Sequence, residues 1–600
     1  MTIHSDWARI LHSECPEAFK NSQRPPLSAA AQGTSTKFQR TAAKDDPSVS
    51  SQAARASHHH RYNVGVIDGH LQLMRLDVRM QTWECFIRNQ FMKPIYEMYS
   101  YGCPRVVLCF DDYGNVPLYK AMTQNSRVNK VTATATTTTS TKKGASSKKK
   151  KNHEEDEDEE AQVDVLKDEK IKLIKAFGPH DPLPPVIPDE PLLYLMNRHF
   201  KLKLIDLVCQ RVPQLLRMPQ RDNEFILDYK KAVLYQSVVG SCPFPPLAVP
   251  LGSEMAAEVA KGVLDDLIKV VVVDHGHDSK KRKFIPSSSG EAYHTTTTSA
   301  SGFQLISSPI VMADMVSLGE SDIKFIRYVK KYGNALVHAI DGDYMAIALL
   351  YYSTHGIHDN NKIFIYRQFS LLSSTTTNTA KGGGEPKKKT SSEKKCWVDM
   401  QLLFTVIAQA MRQSGYTHVI NARTFEPFDE KDAVFTVVFL MLCAGTDFSR
   451  NLPMIGAKRI WEHLPDIAVP AIQAIRGGGC GDHHVVNEGM FLNLVIGKMY
   501  SLIYKNHLSP CISGIQPNQQ SFEAVMLGIK GSKKLSQSTK DKLPSVRRMQ
   551  NTIKNLIWVT KYWTMDNGHV ETPLNGEYGY ARDADGNMNF VDLIPDSSTS

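Results

Sequence analysis

Acidic residues close three short apolar runs of this chain. The runs are Val64-Gly65-Val66-Ile67 before Asp68, Arg105–Phe110 before Asp111 and Asp112, and Ala335–Ile340 before Asp341-Gly342-Asp343. Such runs read as buried parallel strands of an open α/β sheet, whose ligands bind just beyond the carboxyl ends of the strands. Carboxylates delivered there from separate strands repel one another unless a cation joins them, and their hard oxygens suit Mg²⁺ or Mn²⁺. The implied chemistry is that of a divalent-metal site. Alternate strand residues face the same way, so the spacing of Asp341 and Asp343 predicts that both reach one cluster. A further acidic pair, Glu320 and Asp322, precedes Ile323, Ile326 and Val329, which recur at helical spacing. The pair therefore opens a helix, where acids also suit the helix dipole, and this capping role competes with a metal role. In a regular helix the two cannot share a face.

The rest of the chain must position these acids. Six hundred residues at 42% hydrophobic content can bury a large core, yet the length exceeds one ordinary domain. Low-complexity tracts explain part of the excess. Residues 131–162 pass from Thr-rich sequence through Lys148–Lys151 into the acidic block Glu154–Glu160, 286–302 are rich in Ser and Thr, and 373–395 mix Thr, Gly and Lys. A polar, basic insert covers about 22–60 and includes His58-His59-His60. Such compositions cannot offset chain entropy by burial and are expected to be disordered inserts. Between them strand and helix patterns alternate, as in α/β proteins. Met80–Met98 reads as a helix between the first two acid-terminated strands, and Leu192–Leu216 as a helical pair. Past residue 400 the chain is mainly helical, with Gln401–Gln413 and Lys431–Ala444 the clearest helices.

Bulk charge narrows function little, since 71 basic against 62 acidic residues leave +9, a mild bias toward polyanions. Ten cysteines without a C-x-x-C pair argue against a zinc ribbon or a disulfide framework and for a reducing compartment. No apolar run of about 18 residues and no apolar secretory core are present, so a soluble intracellular protein with no membrane role is expected. Basic runs at Lys148–Lys151 and Lys280–Lys283 are candidate nuclear import signals.

Six segments then follow in a meaningful order. They are Ile3–Lys20 with Trp7, Ile10, Leu11 and Pro16; VGVIDGHLQLMR at 64–75; VVLCFDDYGNVPLYK at 106–120; GESD at 319–322; AIDGDYMAI at 339–347; and LCAGTDFSRNLPMIGAKRIWEHL at 442–464. Together they resemble the flap endonuclease and xeroderma pigmentosum group G superfamily of structure-specific 5′ nucleases. In that order they are similar to its opening helix, first acidic strand, second acidic segment, E-x-E pair, D-x-D strand, and last metal aspartate with a helix-three-turn-helix.

The resemblance implies an α/β, PIN-like core with a mainly parallel sheet flanked by helices, and a helical, duplex-binding C-terminal part. It implies seven metal-site carboxylates: Asp68, Asp111, Glu320, Asp322, Asp341, Asp343 and Asp447. Asp111 is preferred to Asp112 because the family's aspartate directly follows the aromatic residue, here Phe110. Two Mg²⁺ ions about 4 Å apart, with Mn²⁺ as a substitute, hydrolyse a phosphodiester in such sites. Lys120 and Arg127, seven residues or about two helical turns apart, are expected beside the scissile phosphate. Ile455, Gly456, Lys458 and Arg459 are expected at duplex phosphates, which report shape and carry no base code. By resemblance this turn also holds a monovalent cation, such as K⁺, on backbone carbonyls. The expected substrate is DNA with single-strand/double-strand junctions, cleaved by a nuclear monomer in repair or replication. Alternatives are a 5′→3′ exoribonuclease and a catalytically inactive PIN-like scaffold.

The implied organisation is a nuclease region at 1–130, a linker at 131–162, an arch- or cap-like insertion at 163–310, a second nuclease region at 311–372, an insert at 373–395 and a helical region at 396–600. Several positions depart from the family pattern. Thr2 replaces a glycine, Met74 a tyrosine and Met454 a second turn glycine, and the segment from Arg127 to Glu320 is much longer than the family's arch. Asp274-His275-Gly276-His277 and the set Cys480, Asp482, His483 and His484 read as loops, and Trp558, Tyr562 and Trp563 as core packing. No convincing sliding-clamp motif is present.

Overall fold

The computed structural model describes residues 4–20, 62–112, 177–189, 191–219, 222–238, 305–306, 309–315, 320–371, 392–421, 425–446, 452, 454–477, 486–508, 521–564, 577–582 and 588–590. The tracts at 22–60, 131–162 and 286–302, and the loops at 274–277 and 480–484, lie outside them.

One ten-stranded sheet organises the molecule. Its strands are β1 (Phe19–Lys20), β2 (Val64–Asp68), β3 (Arg105–Cys109), β4 (Glu224–Asp228), β5 (Ala232–Val238), β6 (Leu305–Ile306), β7 (Ile310–Val311), β8 (Ala335–His338), β9 (Ile363–Leu371) and β10 (Ser392–Asp399). The order is β1-β10-β9-β8-β2-β3-β4-β5-β6, with β7 also on β5. The run β9-β8-β2-β3-β4 is parallel, and the flanking pairs are antiparallel. The three acid-terminated runs thus form neighbouring parallel strands, with β2 between β8 and β3.

Alternation along the strands creates two cores. Val64 and Val66, Val107 and Cys109, Ile226, Ala335 and Val337, and Ile363 and Ile365 face one side. Ile67, Val106 and Leu108, Phe225 and Leu227, Leu336 and Phe364 face the other. A parallel sheet buried on both faces explains why these strands read as continuous apolar runs. Helices α3 (Trp83–Ile87), α4 (Lys93–Ser100) and α5 (Arg198–Leu215) supply the second core. The first core takes α6 (Ser321–Tyr332), α7 (Asp343–His355), α8 (Met400–Arg412), α9 (Glu430–Cys443), α10 (Ala457–Glu462), α11 (Leu464–Arg476), α12 (Phe522–Gly531) and α14 (Val546–Thr564). The short α13 (Gln537–Lys540) joins the last two. Helices α8 and α9 begin one residue earlier than their periodicity predicts, each behind an aspartate cap, Asp399 or Asp429.

Three elements differ from expectation. The opening helix, α1, spans only His4–Glu14, because Pro16 cannot continue it, and Phe19–Lys20 instead pair with Trp397 and Val398 at the sheet edge. The helix expected from Met80 begins at Trp83, where the Thr82 side chain accepts the Cys85 N–H, and a π turn (Arg88–Met92) precedes Pro94. The insert expected over 373–395 overlaps the start of β10, which pairs along its length with β9. Residues 224–238, within the segment likened to an arch or cap, add β4 and β5 to the sheet itself. Among the described residues, no helix is long and apolar enough to cross a membrane, and no cysteine forms a disulfide.

Candidate metal centre

Asp68 ends β2 and caps the next helix, α2 (Gly69–Leu73 in chain order between β2 and α3), its Oδ1 accepting the His70 N–H at 2.9 Å. Gly69 lets the ends of β2 and β3 approach. A Cβ there would lie 2.5 Å from the Phe110 ring and 2.7 Å from the Cys109 carbonyl oxygen. Gly69→Ala is therefore expected to cost about 1–3 kcal/mol, the usual penalty of overpacking, as read by urea unfolding. An unchanged midpoint would mean that the strand ends separate freely.

Asp111 lies two residues past the end of β3. Its Oδ1 accepts the Ser321 N–H of α6 at 2.9 Å, and its Oδ2 lies 3.9 Å from His70 Nδ1. Asp112 is equally buried. Glu320 is the N-cap of α6 in extended backbone, fully buried, and Asp322 sits buried in the first turn. The objection that the pair cannot share a helical face therefore falls, since Glu320 stands outside the helix.

The expected D-x-D strand is corrected. β8 stops at His338, Gly342 turns the chain, and Asp343 is the first residue of α7. Strand alternation therefore does not bring Asp341 and Asp343 together; the tight turn does, and Asp341 Oδ1 accepts the Asp343 N–H at 3.4 Å.

Electrostatics link Asp68 to three of these acids. Burial pushes the Asp68 pKa up to about 8, helped by the charge of Asp111 and, more weakly, of Asp322 and Asp341, while the Leu71 N–H opposes the rise. Tyr344 of α7 has its hydroxyl 3.5 Å from Ser321 Oγ, and its pKa is raised by burial, then by Asp68 and Asp322. Arg367 of β9 is buried, which lowers its pKa, and the charges of Asp341 and Asp343 act against that fall. A guanidinium beside this acidic pair went unread in the sequence.

So did a buried lysine. Lys324 of α6 is 1% exposed and pairs with Asp228 Oδ1 at 2.9 Å, and it also donates to the carbonyls of Phe110 at 2.8 Å and Tyr229 at 2.9 Å. Tyr328, one turn on, donates to Asp228 Oδ2 at 2.8 Å. This network ties α6, which carries Glu320 and Asp322, to the peptide that carries Asp111. Asp228 was visible in principle: it ends the run Phe225-Ile226-Leu227 just as Asp68 ends its own run.

Lys120, Arg127 and Asp447 lie outside the described residues. Thr446 is described, and it lines a small pocket with Asp343, Gly342, Trp7 and Met441. Trp7 donates to the Met441 carbonyl at 3.1 Å and meets Trp461 edge to face.

In the turn before α10, the Ile455 side chain is 2% exposed, so only its backbone can meet a ligand, whereas Gly456, Lys458 and Arg459 are exposed. Met454 has φ +64°, the left-handed region where glycine is at ease. Arg459 Nη1 donates to the Met454 carbonyl at 2.7 Å, placing a side-chain cation on a carbonyl of the turn likened to a K⁺ site.

Hard carboxylate oxygens, and an aspartate whose pKa is raised by burial and then by the Asp111 charge, fit a divalent cation that would supply the counter-charge. Their spacing is less complete. Among the described residues, no three His, Cys, Asp or Glu side chains are grouped so as to hold a metal ion. Mutual repulsion and the bonds of Asp68 and Asp111 to backbone N–H groups both work against closer approach. No family model and no curated protein matches this sequence.

Proposed function

We propose that this chain is a Mg²⁺-dependent, structure-specific 5′ nuclease of flap endonuclease type that hydrolyses DNA at single-strand/double-strand junctions. One observation carries the reading: Asp111, Asp322 and Asp341, from three other segments, each act on Asp68 at the carboxyl end of β2, a central strand of the parallel run. The parallel run β4-β3-β2-β8-β9 supports a PIN-like core, and the succession α9, turn, α10 supports a helix-three-turn-helix.

In this reading Asp68, Asp111, Glu320, Asp322, Asp341, Asp343 and Asp447 hold two Mg²⁺ ions, with Mn²⁺ able to replace them. When bound, such ions activate the attacking water and stabilise the leaving oxygen. The chain's own residues orient and neutralise. Lys324 and Asp228 hold α6 against the Asp111 segment, Lys120 and Arg127 offset charge at the scissile phosphate, and Gly456, Lys458 and Arg459 meet duplex phosphates. A nuclear monomer in repair or replication accords with this chemistry and with the basic runs. The missing three-ligand group among the described residues favours a second reading, an inactive PIN-like scaffold that binds nucleic acid.

Cleavage of end-labelled 5′-flap, gapped duplex and single-stranded RNA, with Mg²⁺ or EDTA, separates the readings. The proposal expects cut flap DNA with Mg²⁺ or Mn²⁺ and none with EDTA. Binding without cleavage in either metal favours the scaffold, and preferential RNA digestion favours an exoribonuclease.

A further inference from the structure

Residues 530–554 carry eight basic side chains against one acid, a net +7 within a chain whose total is +9. The basic residues are Lys530, Lys533, Lys534, Lys540, Lys542, Arg547, Arg548 and Lys554. They belong to folded structure, from the end of α12 through α13 into α14. Leu543, Met549 and Ile553 bury the inner side of this segment, and α14 packs on α7 and α9. Lys530, Lys533, Lys534, Lys542, Arg547 and Arg548 are exposed, and Lys540 and Lys554 half-buried. The single acid, Asp541, accepts a hydrogen bond from Gln537 at 2.7 Å, and none of the six lysines forms an ion pair with a described carboxylate.

Such a concentration of like charge costs the fold repulsion. A partner must supply many negative groups. Protein–protein interfaces rely on apolar and aromatic anchors and are poor in lysine, yet no apolar side chain of 530–554 is exposed. Lysines interleaved with exposed hydroxyls, here Ser536, Ser538 and Ser545, suit phosphate oxygens instead. We infer that this face binds the phosphate backbone of duplex DNA, with contacts additional to those of the turn at Gly456, Lys458 and Arg459. The choice of DNA rests on the nuclease reading; the polyanion class rests on the charge itself.

The test uses the full chain, a fluorescein-labelled blunt duplex and anisotropy in Ca²⁺ over a range of KCl. Lys533→Ala, Lys534→Ala, Lys540→Ala and Lys542→Ala, combined, are expected to weaken binding at least about tenfold at 0.1 M salt and to reduce the log–log salt slope by about 3.6, near 0.9 for each of four lost phosphate contacts. The four Lys→Arg changes restore both. Turnover of saturating flap DNA stays near that of the unaltered chain. If the quadruple variant does not fold, Lys533→Ala with Lys542→Ala gives about half the slope change. Unaltered affinity and slope in a folded variant overturn the proposal even where flap cleavage is intact. Equal binding of poly-glutamate, lost in the same variant, overturns the choice of nucleic acid. Duplex binding that depends on these lysines in a chain that cuts nothing keeps the surface and rejects the nuclease reading.

Discussion

Asp341→Asn is expected to lower single-turnover cleavage of a 5′-flap duplex in saturating Mg²⁺ by at least about 100-fold, since even groups behind a metal ligand carry 10–100-fold. Asn keeps the size and the oxygen that accepts the Asp343 N–H, so the turn into α7 survives. Only the charge is lost. That charge also raises the Asp68 pKa, and a prediction of opposite sign follows for stability. With its folded pKa lifted to about 8, Asp68 holds a proton that the unfolded chain releases near pH 4. The folded state then binds more protons across that interval, so this contribution to stability is present at low pH and is lost as pH rises toward 8. Removing the Asp341 charge makes the loss shallower. In EDTA at pH 8 the variant is therefore expected to melt no lower than the unaltered protein, and the gap should narrow at pH 4. A folded Asp341→Asn protein with near-normal turnover would remove Asp341 from the metal centre. Lower stability at pH 8 would contradict the repulsion.

Lys324→Met is expected to destabilise the fold by about 3–5 kcal/mol, the usual cost of breaking a buried ion pair from one side. The ammonium and its partner are almost wholly buried, at 1% and 6% exposure. Without Lys324, the Asp228 carboxylate keeps the Tyr328 hydroxyl but loses its counter-charge, and the Phe110 and Tyr229 carbonyls lose a donor. Changing both partners, Lys324→Met with Asp228→Leu, removes the stranded charge and is expected to recover much of the loss. Urea unfolding of the two single variants and the double variant measures the coupling. Additive losses would show that the pair acts as two independent groups.

Local sequence determined a large part of this protein. Apolar runs that end in Asp68 and Asp111 specified β2 and β3, because a strand buried on both faces admits few polar side chains. Helical spacing placed α8 and α9 within one residue of their observed ends, and Trp558, Tyr562 and Trp563 are buried as their aromatic character predicts. These features depend on periodicity and composition within a few turns of chain. Tertiary structure decided the rest. β10 arises in a segment with no strand alternation, since its pairing comes from β9 across the 373–391 tract and from β1 hundreds of residues away. β4 and β5 turn an apparent insertion into part of the sheet by extending the edge of β3. A lysine in an amphipathic helix ordinarily reaches solvent, yet Lys324 is buried because Asp228 and two strand-end carbonyls converge on it. Strand register, desolvation and the mutual repulsion of carboxylates depend on neighbours in space, and no local spacing in a chain specifies which distant groups those will be.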